Sequence, residues 1–173
     1  GDVGAMAHVG DTRLYRFRDG ELEQLSRDHT AAAELARLGR VDIERIGNHP
    51  FTHLLLRSVG ECETITVDTQ AFELEAGDRF LLCSDGLTGY AGAAELLALE
   101  LDRDELEEIP ERLVDYANGS GGNDNVTAIA VEVVDEGLPA PLPVTDPRNY
   151  PVYHDAHGVD VPYPHESPGP FGV

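Results

Sequence analysis

Three short acidic turns carry the residues with the clearest chemical potential: Val9-Gly10-Asp11-Thr12-Arg13, Ser84-Asp85-Gly86 and Gly121-Gly122-Asn123-Asp124-Asn125. Each places an aspartate near glycine at the margin of an apolar, strand-like run. The middle turn poses the sharpest question, because Phe80-Leu81-Leu82-Cys83 runs straight into Ser84-Asp85-Gly86. A carboxylate at the end of a buried strand is costly unless it is paired, hydrogen-bonded or bound to a metal. Hard divalent cations such as Mg²⁺ and Mn²⁺ take carboxylate oxygens together with water. Glycine lets the backbone bend so that carboxylates from separate strands reach one rim. Taken singly, each turn is an ordinary Asp-Gly or Asn-Asp turn. Three of them at strand margins improve the metal reading only modestly.

Other chemistries find less support. Ser84 lies outside a G-x-S-x-G elbow, and no histidine follows in a triad pattern. There is no Walker loop. His8 and His29 flank strand ends and read as core or turn residues. His49 and His53 stand four apart, but Pro50 between them spoils a helical H-x-x-x-H pair. Asp102-Arg103-Asp104 reads as an exposed helix start.

The elements that must position these turns alternate along residues 1–136. Val3–Val9 and Arg13–Phe17 read as strands, with Asp19-Gly20 as a hairpin turn. Thr30 caps a short helix, Thr30–Leu38, which Gly39 closes. Strands are expected near Cys62–Val67, Ala71–Glu75 and Arg79–Cys83, with Ala76-Gly77-Asp78 as a turn. Helices are expected over Gly92–Leu101 and Asp104–Asn118, and Pro110 starts a second helical piece within the latter. Asn125–Val134 reads as a closing β-branched strand. Residues 137–173 hold nine of the eleven prolines. That density removes backbone donors, so a disordered or polyproline-like tail is expected. Its His154, His157 and His165 read as solvated side chains.

Composition bounds the function classes. A chain of 173 residues with 41% hydrophobic residues can bury one core. A formal net charge of −21 argues against nucleic acid or an anionic membrane as a partner. The two cysteines, Cys62 and Cys83, form no CxxC and read as free thiols in a reducing compartment, which places the chain in the cytoplasm. No apolar run approaches the length of a transmembrane helix. The first residues lack the basic and apolar regions of a signal peptide.

Four blocks in order, AHVGDTRLYRFRDGELEQLSRDHT, NHPFTHLLLRSVG, LEAGDRFLLCSDGLTGY and GGNDNVTAIAV, resemble the C-terminal half of the metal-dependent protein phosphatases of the PPM, or protein phosphatase 2C, type. The resemblance covers about Val3 to Val134. It implies an α+β fold, a β-sandwich of two antiparallel sheets flanked by helices, and hydrolysis of phosphoserine and phosphothreonine in proteins at a binuclear Mn²⁺/Mg²⁺ centre. By the family pattern, Asp85 and Asp124 are metal ligands. Asp11 matches a position that helps hold an additional, weaker metal beside Asp85, and Gly86 contributes only adjacent backbone. Two metals can activate a bridging water and polarise the phosphoryl oxygens, so no protein nucleophile is required.

Two departures qualify the match. The family usually continues S-D-G-x-x-D, whereas this chain has Gly89 at the second aspartate, which weakens the accessory site. The family's N-terminal half, with a phosphate-binding arginine and a metal-bridging D-G-x-G-G-H block, has no counterpart here. The implied partners are phosphoproteins, the kinase pathway that modifies them, and an N-terminal half supplied separately. The competing reading is a non-catalytic, phosphatase-like interaction module. A carboxylate-rich cation-binding domain without phosphatase ancestry is argued against by the four ordered blocks.

Overall fold

The computed structural model describes residues 3–42, 49–61, 63–90, 97, 100–102 and 105–134. These fall within one compact unit spanning Asp2–Gly137. Its strands are β1 (Val3–His8), β2 (Arg13–Arg18), β3 (Glu21–Gln24), β4 (Asp68–Glu73), β5 (Arg79–Cys83) and β6 (Ala128–Glu132). Its helices are α1 (Ala31–Arg37), the single turn α2 (Asp85–Thr88) and α3 (Ile109–Gly119), the last preceded by a 3₁₀ turn at Leu106–Glu108.

Two antiparallel sheets result. One pairs β1 with β4, from Val3 opposite Glu73 to His8 opposite Asp68. The other has the order β3-β2-β5-β6. In it Arg13 pairs with Cys83 and Cys83 with Ala128 at one end, while Phe17 pairs with Arg79 and Arg79 with Glu132 at the other. Asp19 and Gly20 take φ of 52° and 80°, the left-handed pair that a two-residue hairpin between β2 and β3 needs.

Strand alternation gives the larger sheet two apolar faces. Tyr15, Phe17, Leu81 and Cys83 point to one side and form a core with Leu87, Leu97, Leu101 and the α3 residues Ile109, Leu113 and Ala117. The 109-113-117 spacing is one stripe of a helix, which is why α3 lies on the sheet as it does. Leu14, Phe80, Leu82, Ile129 and Val131 share the opposite side by register. There Phe80 meets Phe72 of β4 with ring centroids 5.6 Å apart, joining the two sheets. Opposite Phe72 the chain has Gly4, where a Cβ would run into the phenyl ring.

Several expected boundaries shift. The strand expected near Cys62–Val67 is not formed over its described residues 63–67, and the next strand begins at Asp68 and ends at Glu73. Pairing with β1 decides this, since β1 offers six residues and the register runs out at His8. The closing strand is five residues, Ala128–Glu132, because its ladder with β5 spans only Arg79–Cys83. The helix expected over Asp104–Asn118 splits at its start, with Pro110 in the first turn of α3 as its missing N–H permits. Thr30 caps α1 as expected, its hydroxyl accepting from the Ala33 amide at 3.2 Å. Of the helix expected over Gly92–Leu101, the described residues Leu97, Glu100 and Leu101 are helical. The tail 137–173 and Cys62 lie outside the described residues. Cys83 is a free, buried thiol whose pKa burial pushes up to about 12, so it is inert. No helix among the described residues is long and apolar enough to cross a membrane.

Candidate metal centre

The register of the larger sheet brings the three acidic turns to one end. Arg13, Cys83 and Ala128 lie side by side there. Asp11 stands two residues before Arg13, Asp85 two residues after Cys83, and Asp124 four residues before Ala128. An antiparallel ladder therefore delivers all three to the same rim, with each turn leaving or entering a neighbouring strand.

Asp11 occupies the β1–β2 turn and is partly buried. Loss of hydration raises its carboxyl pKa, and the negative charge of Asp85 raises it further. The backbone before it turns at Gly10, whose φ of 108° suits glycine. Residues 28 and 29 grip this turn. Arg13 makes a forked ion pair with Asp28, at 2.6–3.0 Å. The His29 ring accepts from the Gly10 amide at 3.1 Å, and the His29 amide donates to the Gly10 carbonyl at 2.8 Å.

Asp85 opens the single helical turn α2 directly after β5. Gly86, buried beside it, has no room for a side chain, since a Cβ there would overlap the Asn125 carbonyl oxygen. Ser84 fastens the same two segments. Its amide donates to the Thr127 carbonyl at 3.1 Å, and its hydroxyl donates to the Asn125 carbonyl at 3.2 Å and accepts from the Thr127 amide at 3.1 Å. The Asp85 and Asp124 turns are thus tied together through the Ser84 amide and hydroxyl. Asp124 is exposed, and one of its carboxylate oxygens accepts from the Asn125 amide at 2.7 Å. The Tyr90 hydroxyl accepts from the Asn123 amide at 3.3 Å, while its ring stands edge-on to Tyr116.

The donor set is oxygen alone, which suits Mn²⁺ or Mg²⁺ and not a softer ion. The mutual repulsion of Asp11 and Asp85 is what a shared cation would relieve. Among the described residues no group of three or more His, Cys, Asp or Glu side chains is placed to hold a metal ion. The residues present fit part of a site. The sequence left Ser84, His29 and Tyr90 without a role at this rim. None of the three has a local signature, because each role depends on partners that the fold brings from distant positions.

No family model matches the chain. Curated relatives do. It is 37% identical over 127 residues to the serine/threonine phosphatase stp of Listeria innocua, covering 73% of this chain and 50% of that protein. It is 40% identical over 131 residues to the serine/threonine protein phosphatase PstP of Mycobacterium tuberculosis, covering 75% of this chain and 25% of that protein. With the protein phosphatase PhpP of Streptococcus pneumoniae it shares 35% identity over 130 residues, 53% of PhpP. The chain thus spans about half the length, or less, of these relatives. Among solved structures, M. tuberculosis PstP superimposes with a TM-score of 0.73 at 36% identity, covering 78% of this chain and 56% of that one. The PstP catalytic domain has also been solved in complex with two manganese ions, and it matches with a TM-score of 0.68. Fold, motif order and relatives agree: the chain belongs to the PPM family of metal-dependent serine/threonine phosphatases, with the motifs of the C-terminal part of the catalytic domain.

Proposed function

We propose that this chain forms part of a cytoplasmic protein serine/threonine phosphatase that hydrolyses phosphoserine and phosphothreonine, and that it works together with the N-terminal half of the catalytic domain. The observation that carries the reading is the arrival of Asp11, Asp85 and Asp124 at one end of the β2-β5-β6 ladder, in a fold shared with PstP. In this reading Asp85 and Asp124 hold a pair of Mn²⁺ or Mg²⁺ ions, and Asp11 with Asp85 favours a weaker third. Gly86 serves by its small size, letting the Asp85 turn lie against Asn125. The chemistry such ions supply when bound is acidification of water and neutralisation of phosphoryl charge. The chain's own part is to fix the carboxylates, and Ser84 does so by joining two of the three turns. Gly89 brings no carboxylate, so the third ion rests on Asp11 and Asp85 alone. The substrates are phosphoproteins made by serine/threonine kinases.

The test combines the chain with a PPM N-terminal half carrying the D-G-x-G-G-H block and follows release of phosphate from a phosphoserine peptide. Hydrolysis should require Mn²⁺ or Mg²⁺ and stop with EDTA. Activity that persists in EDTA, or in a chain bearing both Asp85→Asn and Asp124→Asn, would sink the metal reading.

A further inference from the structure

Both main-chain polar groups of Gly10 are held by one residue, His29, which is 3% exposed. The Gly10 N–H donates to Nδ1, so Nδ1 must keep its lone pair and the ring proton sits on Nε2. That Nε2–H points at Asp68 Oδ2, 3.0 Å away on β4. The other Asp68 oxygen receives Arg57 at 2.6 Å. Asp68 therefore selects the tautomer that can receive the Gly10 amide. With both nitrogens engaged, His29 has none left to ligate a metal or move a proton. Its neighbour His8, with ring centroids 4.8 Å apart, turns Nε2 to the Arg27 carbonyl at 2.9 Å.

We propose that His29, oriented by Asp68, is a positioning residue that clamps the Gly10 peptide and so holds Asp11 beside Asp85. This rests on the metal reading above. The restraint answers a specific difficulty. Asp11, repelled by Asp85, sits at a glycine turn with a φ few residues adopt, and such a turn opens unless something fixes it. Burial holds the imidazole below its ordinary pKa, which keeps the acceptor form in place. Outer groups that orient metal ligands commonly change affinity by about 10–100-fold.

The test uses the full chain, two substitutions that divide the imidazole's functions, and Mn²⁺ as the probe. His29→Asn keeps an acceptor at the Nδ1 position and gives up Asp68. His29→Gln keeps a donor toward Asp68 and gives up the Gly10 amide. Paramagnetic broadening of backbone amides by Mn²⁺ reads even weak occupancy, residue by residue. In wild type and His29→Asn, broadening should reach the amides around Asp11, Asp85 and Asp124 together. In His29→Gln, Asp11 should need about tenfold more Mn²⁺, with Asp85 and Asp124 unchanged. Equal broadening of Asp11 in His29→Gln and wild type overturns the proposal. So does loss of Asp11 broadening in His29→Asn, which also decides the matter if His29→Gln does not fold. If wild type shows no broadening at Asp85 and Asp124, the chain alone does not hold Mn²⁺, the metal reading rests on the reconstituted enzyme, and metal-free hydrogen exchange decides the clamp. The Gly10 amide should then exchange about tenfold faster in His29→Gln than in wild type or His29→Asn, and an unchanged rate overturns the proposal.

Discussion

Ser84 and Asn125, 41 positions apart in the chain, meet where the Ser84 hydroxyl donates to the Asn125 carbonyl at 3.2 Å. The same hydroxyl accepts from the Thr127 amide, so one side chain joins the turn that carries Asp85 to the turn that carries Asp124. Ser84→Ala removes both bonds and leaves main-chain groups without a protein partner. The expected cost is about 1–2 kcal/mol, with the higher figure avoided if water enters this partly open position. Urea unfolding of the two proteins measures it. Equal midpoints would mean that the hydroxyl does not join the turns.

Gly86 makes a stricter demand on the same contact. A methyl group there would occupy the space of the Asn125 carbonyl oxygen, a main-chain atom that cannot swing aside as a long side chain can. Gly86→Ala should therefore destabilise the chain by about 1–3 kcal/mol, although alanine is the better helix former at this position in α2. A variant as stable as wild type would show that the two turns are not in close contact.

Much of this was legible in the sequence, and the remainder was not for physical reasons. Asp85 could be picked out because a carboxylate after four apolar residues is an energetic anomaly that needs an explanation. Thr30 and Gly39 marked the ends of α1 because caps are local chemistry. β4 was misplaced because strand ends follow from pairing, and Asp68 opposite His8 is a contact across 60 positions that no local pattern reveals. His29 was read as a turn or core residue, and it is buried. Its grip on Gly10 depends on a tautomer chosen by Asp68, which is tertiary information. Ser84 was set aside as a nucleophile, and its joining role stayed hidden because one serine in a turn has no signature until its partners are known.

Asp78 gives a pH-dependent prediction away from the rim. Its side chain is fully buried, and Arg18 holds both carboxylate oxygens at 2.5 and 2.6 Å while the Glu75 amide donates to one of them at 2.9 Å. Burial alone would raise its pKa, but these hydrogen bonds and the Arg18 charge outweigh that and hold it below the ordinary value. The stabilisation is therefore complete above the unfolded pKa of about 3.9 and is lost as pH falls through the lower folded value. Asp78→Asn should cost about 2 kcal/mol at neutral pH. The difference between the proteins should hold down to about pH 5 and shrink below about pH 4. Urea unfolding at each pH checks this, and a difference that persists undiminished in strong acid would show that charge is not what Asp78 contributes.

Asp85 and Asp124 should lose far more on substitution than Asp11. If they hold the ions as proposed, Asp85→Asn and Asp124→Asn should each lower phosphatase activity of the enzyme reconstituted with an N-terminal half by about 100-fold or more, since an amide keeps the shape and loses the charge. Asp11→Asn should leave most activity at saturating Mn²⁺ if, as proposed, it bears only on a weaker ion. In the isolated chain, Asp11→Asn should raise the unfolding midpoint, for it removes a partly desolvated charge that repels Asp85. A fall in midpoint would show that Asp11 is held by attractions stronger than that repulsion.

The second face of the larger sheet bears on the proposed pairing with an N-terminal half. Phe80 is covered by Phe72, but Leu82, Ile129 and Val131 remain 38%, 53% and 44% exposed on the same face. The reason is one of width. Among the described residues a sheet of two strands, β1 and β4, faces one of four, and β6 lies at the outer edge of the larger sheet. A contiguous apolar strip of this kind is what an absent partner surface would cover. If the N-terminal half adds its structure here, Ile129→Asp should leave the isolated chain within about 0.5 kcal/mol of wild type, because the residue already faces solvent. The same substitution should abolish binding of the N-terminal half and with it the Mn²⁺-dependent hydrolysis. Titration calorimetry of the two halves reads the association directly. If Ile129→Asp binds the N-terminal half as tightly as wild type does, the seam between the halves lies elsewhere, while the metal assignments at the rim would stand unaltered.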